Sequence, residues 1–123
     1  MQYIEDPVND SVSLYDTWEK KANVLGSGSD YTVFLHHLGI ASGDFSFSGG
    51  GTYGVYHSVY DSFYWMEQFG DPEFKRHQAM AKIWGLTTLK LADAPLLPFN
   101  FSFYASQIQL YLESVEKMSS DAG

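Results

Sequence analysis

A chain of 123 residues is one domain or part of one, and with 45% hydrophobic and 17% aromatic residues it carries the material for burial that a disordered segment lacks. Seven Lys plus Arg against fifteen Asp plus Glu leave a formal charge of -8, which repels phosphate backbones and anionic membrane surfaces and argues against nucleic acid as a partner. Without cysteine there is no disulfide framework and no thiolate metal site, so His, Asp and Glu are the only strong ligands available.

The first twelve residues have neither a basic n-region nor an apolar core, and no run reaches the ~20 apolar residues of a spanning helix, so the chain reads as soluble with its compartment undetermined. Residues 1–12 and 119–123 are expected to be flexible. Ser13 precedes a short helix, Leu14 to Lys20, with acid early and lysine late as the macrodipole prefers. Leu25-Gly26-Ser27-Gly28-Ser29-Asp30 is a loop, and Asp30 can cap a helix from Tyr31 to Leu38 that stops at Gly39.

Ile40 to Phe47 reads as a strand, and a central one, because Gly39-Ile40-Ala41-Ser42 is uncharged. Ser48-Gly49-Gly50-Gly51 is a flexible break. Tyr53 to Tyr56 then lead to His57, and Ser58-Val59-Tyr60-Asp61 forms a capping box that opens a helix to about Gln68, placing His57 just outside a helix N-terminus. Asp71-Pro72-Glu73 signals the start of a helix to about Ala92, apolar over most of its circumference and so buried on more than one side. Pro95 and Pro98 force an extended link, and Asn100 caps a last helix to Met118 with an apolar stripe at Phe101, Tyr104, Ile108, Tyr111, Val115 and Met118.

The fold expected from these segments is α/β and helix-rich, a few strands of a mixed sheet with about five helices. So few strands cannot close a sheet, and so many rings need cover, which points to missing neighbours.

Four histidines are candidate ligands. His36 and His37 are adjacent on a helix, roughly 100° apart, and cannot easily share a metal. His77 follows Glu73 by four residues, a spacing that allows a shared ion but is usually a solvated surface pair. His57, in a loop, fits either a residue pointing into a cleft or a packed, half-exposed histidine. Other signatures fail: Gly26-Ser27-Gly28 is a lone G-x-G, Gly39-Ile40-Ala41-Ser42-Gly43 puts its serine one place late for a nucleophile elbow, and the aspartates lack calcium-loop spacing. Asn9-Asp10-Ser11 and Asn100-Phe101-Ser102 are sequons, acceptors only in a secretory context.

Six stretches in order, Ser13-Leu14-Tyr15-Asp16-Thr17-Trp18, Leu25 to Asp30, Leu38-Gly39-Ile40-Ala41-Ser42-Gly43, Tyr56-His57-Ser58-Val59-Tyr60-Asp61, Asp71-Pro72 and Leu97-Pro98-Phe99, resemble the C-terminal part of the peptidase domain of glutamate carboxypeptidase II-like zinc exopeptidases, also called prostate-specific membrane antigen-like. Residues 13 to 115 are covered. The resemblance implies a partial zinc-exopeptidase fold and two zinc ions sharing a water that attacks a peptide carbonyl of a short peptide substrate. It implies His57 as the last zinc ligand in sequence, Tyr56 as a contact to the substrate's C-terminal carboxylate, and Gly28 and Ser29 as the wall beside the scissile bond. The other ligands and the general-base glutamate lie upstream in the family, so the remainder of the peptidase domain is an implied partner, a homodimer is implied for the complete protein, and this chain alone is expected to be inactive.

The match has departures. Where the best-known members carry two arginines after the Leu-Gly-Ile-Ala-Ser-Gly stretch, this chain has Asp44 and Ser46, and Ser29 replaces an asparagine, which implies a weak preference for neutral or basic substrate residues. The alternative is a non-catalytic module, either of the transferrin-receptor-like relatives, which share the fold but serve in binding, or a plain structural module with His57 as a relic; retention of His57 favours the peptidase side.

Overall fold

The computed structural model describes residues 4–20, 24–47 and 54–121, and regular structure within them is helical. The expected mixed sheet of an α/β fold is overturned. Among the described residues no strand forms, and the only pairing is an isolated antiparallel bridge between Glu5 and Ser13. An extended segment becomes a strand only when its N–H and C=O groups meet a ladder partner. Residues 40–47 have no such partner and carry no regular secondary structure, and the fold is α-rich. The Ser48 to Gly51 break lies outside the described residues, as do the outermost ends, 1–3 and 122–123.

The chain divides into two units, Met1–Thr87 and Thr88–Gly123. In the first, the backbone N–H of Leu14 donates to the Ile4 carbonyl at 2.8 Å and that of Asp6 to Val12 at 3.0 Å, folding residues 4–14 back on themselves. Asp6 holds the turn: its carboxylate accepts the Val8 and Asn9 N–H groups at 2.8 and 3.0 Å and the Thr17 hydroxyl at 2.6 Å. The Thr17 hydroxyl, with those amides and against the opposing effect of burial, keeps the Asp6 carboxyl below its ordinary range. Helix α1 (Leu14–Thr17) starts as its sequence dictates, with Asp16 accepting both the N–H (3.3 Å) and the O–H (2.6 Å) of Ser13. It ends earlier than expected, and Lys20 sits in the left-handed region at φ 57°.

Residues 31–32 begin a helical turn that widens into a π-helical turn, Val33–His37, and stops where Gly39 adopts φ +64°. Helix α2 (Phe63–Trp65) also widens into a π-helical turn, Met66–Gly70. Helix α3 (Lys75–Ala92) presents Ala79 and Ile83, one turn apart, to Ile4 and Leu14; these four residues are the buried apolar cluster, with Phe45 and Met80 packed against it. Phe45 meets Trp84 edge to face at 5.1 Å, so segment 40–47 is anchored by a side chain and not by a ladder. In the second unit, Asn100 caps helix α4 (Phe101–Asp121), its side-chain carbonyl accepting the Phe103 N–H at 2.9 Å. The stripe expected there is present, and all six of its residues are exposed.

Gly70 is fixed by space. A Cβ there would lie 2.5 Å from the Met66 sulfur and 2.6 Å from the Trp65 ring. Methionine can swing away, but a ring packed across the turn cannot do so without moving α2. Gly70→Ala should therefore cost about 1–3 kcal/mol, the usual range for overpacking, read as a lowered denaturation midpoint. An unchanged midpoint would show that Trp65 is freely movable.

Candidate functional site

The sequence-predicted residues fall on two loops. Gly28 (φ +93°) and Ser29 are exposed on the first, residues 24–30, where the Ser29 carbonyl accepts the Thr32 N–H at 3.0 Å. Tyr56 and His57 lie on the second, a tight turn before α2. There the Val55 carbonyl accepts both the N–H (3.0 Å) and the hydroxyl (2.6 Å) of Ser58. The Ser58 oxygen in turn accepts the Tyr60 N–H at 3.2 Å, and its carbonyl accepts that of Asp61 at 3.2 Å.

This ladder places His57 at the apex with φ +58°. Histidine is one of the few residues that tolerate the left-handed region, at a cost of about 1–3 kcal/mol that the surrounding turn must offset. The Tyr56 ring stacks on the imidazole with centroids 3.8 Å apart and planes 23° from parallel. Both residues are exposed. The expected capping box at Ser58 and Asp61 does not open the helix, because the Ser58 hydroxyl is engaged by Val55 and Tyr60. Ser62 caps instead, accepting the Trp65 N–H at 3.3 Å, and α2 begins at Phe63.

Neither ring nitrogen of His57 has a hydrogen-bond partner among the described residues. An exposed imidazole on a turn locked from both sides is suited to supply one neutral nitrogen donor. Among the described residues no three His, Asp or Glu side chains converge as a metal-holding group. Within the described residues His57 is thus a single exposed imidazole without the further ligands of such a group beside it.

The other histidines resolve differently. His36 and His37 are exposed at the end of their π-helical turn. His77 does not share an ion site with Glu73, whose carboxylate pairs with Lys75 at 2.7 Å. It turns to Asp71, whose carboxylate accepts the His77 backbone N–H at 3.0 Å and meets Nδ1 at 2.8 Å. An ionised carboxylate only accepts, so Nδ1 carries the proton. Asp71 is 4% exposed, the buried charged residue of the described chain. Burial pushes its carboxyl up, but hydrogen bonds from the His77 ring and from the His77 and Arg76 amides outweigh it and hold the group below its ordinary value. Sequence reading missed this pair by taking Asp71 as a helix cap only; the available signal was a histidine six residues beyond an Asp-Pro start.

No family profile matches the chain, and no solved structure matches it. Curated proteins do. A probable glutamate carboxypeptidase of Arabidopsis thaliana is 43% identical over 121 residues, covering 94% of this chain and 18% of its own length. An aminopeptidase of Mus musculus is 34% identical over 133 residues, covering 93% of this chain and 18% of its own. A probable glutamate carboxypeptidase of Arthroderma benhamiae is 42% identical over 112 residues, covering 85% and 15%. The chain therefore spans less than a fifth of the length of these relatives. Among the described residues no helix is long and apolar enough to cross a membrane.

Proposed function

We propose, from the premise that this chain is homologous to one segment of the glutamate carboxypeptidase-type peptidases, that it furnishes the His57 ligand and the Tyr56 substrate contact of a two-zinc exopeptidase. The observation that carries the reading is the Tyr56–His57 turn: a solvent-facing imidazole, its backbone in the left-handed region, its ring backed by an aromatic face. Lys20 and Phe74 share the left-handed backbone, so it is the exposed imidazole backed by the Tyr56 ring, and not the backbone angle alone, that supports the reading.

In the complete site His57 would hold one of the ions, with the remaining ligands supplied from outside these residues. Zinc bound there would polarise the peptide carbonyl and lower the pKa of water. The chain's own contribution is orientation. The Val55–Ser58–Asp61 ladder fixes the direction of the imidazole, and the stacked Tyr56 limits its rotation while placing a phenol beside it, able to donate to a substrate carboxylate. Gly28 and Ser29 supply a backbone wall with no bulky side chain. Asp44 and Ser46, exposed on either side of the anchored Phe45, favour neutral or basic over acidic substrate residues.

The test is zinc content and hydrolysis of short peptides by the full-length protein. Stoichiometric zinc, activity lost to a chelator and restored by zinc alone are the expected results. A protein that folds, binds no zinc and cleaves none of a panel of dipeptides belongs instead with non-catalytic binding modules.

A further inference from the structure

The buried Asp71 takes no part in the chemistry assigned above, yet it stands where the segment leaving His57 joins the longest helix of the first unit. From Val55 to Asp71 the backbone is tied by successive local hydrogen bonds: Val55 to Ser58, Ser58 to Asp61, Ser62 to Met66 at 3.0 Å, and Met66 to the Asp71 N–H at 2.8 Å. At Asp71 the chain turns sharply. Phe74 lies at φ 53°, a left-handed conformation that is a true outlier for a bulky residue. Its N–H donates to the Asp71 carbonyl at 2.8 Å, and its carbonyl accepts the Gln78 N–H at 2.9 Å.

Two further ties close the corner. Arg76 donates to the Gly70 carbonyl at 3.0 Å, satisfying the end of the π-helical turn. The Phe74 ring stacks on Phe63, the first residue of α2, at 5.8 Å and 18°, and the His77 ring meets Phe74 edge on at 5.5 Å. The strained Phe74 is thus held between the Asp71–His77 pair on one side and α2 on the other.

We infer that Asp71 and His77 form a clasp that positions the His57 turn, acting through Phe74 and Phe63, so that they are positioning residues for metal binding and not helix-capping residues alone. The inference rests on the reading of His57 as a zinc ligand. When the clasp opens, Phe74 can relax to an unstrained backbone, the Phe63 ring loses its platform, and the five residues between His57 and Phe63 lose their fixed end. The folded state survives, because α3 still buries Ala79 and Ile83 in the apolar cluster; the direction of the imidazole does not.

The experiment measures zinc affinity of the full-length protein by competition with a chromophoric chelator, for wild type, His57→Ala, His77→Ala and His77→Asn, alongside thermal midpoints and the kcat and KM of peptide hydrolysis. Asparagine keeps a donor at the place of Nδ1; alanine does not. His77→Ala is expected to weaken the site affected by His57→Ala about tenfold, the lower end of the loss seen when a group bonded directly to a metal ligand is removed, because His77 acts on the turn only through Phe74 and Phe63, and to lower kcat more than it raises KM. His77→Asn is expected to stay within about twofold of wild type. Equal zinc affinity in His77→Ala and wild type, with zinc still lost in His57→Ala, overturns the clasp and leaves the zinc reading intact. Wild-type protein without zinc overturns the reading beneath it. Weakening by His77→Ala and His77→Asn alike, in step with their thermal midpoints, would reduce the pair to a purely structural contact and also overturn the inference.

Discussion

Replacing His57 by alanine in the full-length protein is expected to cut kcat/KM for peptide hydrolysis at least about a thousandfold, some 4 kcal/mol of transition-state stabilisation, and to remove zinc from one of two sites. The size follows from chemistry. A protein zinc site of three or four ligands that loses an imidazole is left with solvent in its place, and the remaining charge no longer matches the geometry that polarises the substrate. The fold should be untouched, since the His57 side chain is exposed and, among the described residues, meets the Tyr56 ring alone. Relief of the left-handed backbone is not gained either, because alanine suffers the same strain at φ +58° without histidine's tolerance. His57→Gly separates these effects: glycine removes the strain and the ligand together, so it should be as inactive as alanine while the protein is no less stable. Near-wild-type activity in either variant, with full zinc content, would remove His57 from the metal site.

How much of this was legible in the sequence depends on the reach of each interaction. Ser13 with Asp16 and Asn100 with Phe103 involve partners three residues away, and Gly39 ends its turn through its own positive φ, so their chemistry shows in the letters. Segment 40–47 has the composition of a strand, but pairing is a property of two segments, and composition cannot report that the partner is absent from the described residues. The sequence places the cap at Ser58, and the structure places it at Ser62. Ser58 is taken by the turn behind it, and that depends on His57 adopting a left-handed backbone which its identity permits but does not announce. The clasp of Asp71 to His77 was hidden for a similar reason: the Asp-Pro signal placed the helix start at Asp71, whereas the turn through Phe74 delays it to Lys75 and swings the histidine back over the carboxylate. At the site itself the letters drew attention to Tyr56 and His57, while the ladder that holds them had to be seen in three dimensions.

The 123-residue chain purified alone is expected to self-associate and to unfold without a sharp transition. Its apolar side chains are amphipathically arranged but largely uncovered. The buried hydrophobic cluster of the described residues is Ile4, Leu14, Ala79 and Ile83, whereas Val59 is 91% exposed and Leu96 86%. The accessible surface is 10448 Å². Two separately packed units of the lengths found here would expose only about 7,900 Å² together by the scaling of surface with mass, so the excess does not come from the division into units. On α4 the exposed positions Phe101, Tyr104, Ile108, Tyr111, Val115 and Met118 recur at alternating spacings of three and four, a continuous seam along one side of the helix. Surface of this kind is removed from water either by other parts of a longer polypeptide or by another copy, and at the concentrations used for purification only the second is available to the isolated chain. Sedimentation velocity should show a weight-average mass rising with concentration, and far-UV circular dichroism should decline gradually with urea while helix remains at low concentration. Adding the rest of a full-length relative's peptidase domain as a separate chain should suppress the association and sharpen the transition. A monomer at every concentration with a single cooperative transition would show that these faces are content in water, and would remove the reason for assigning them to neighbours.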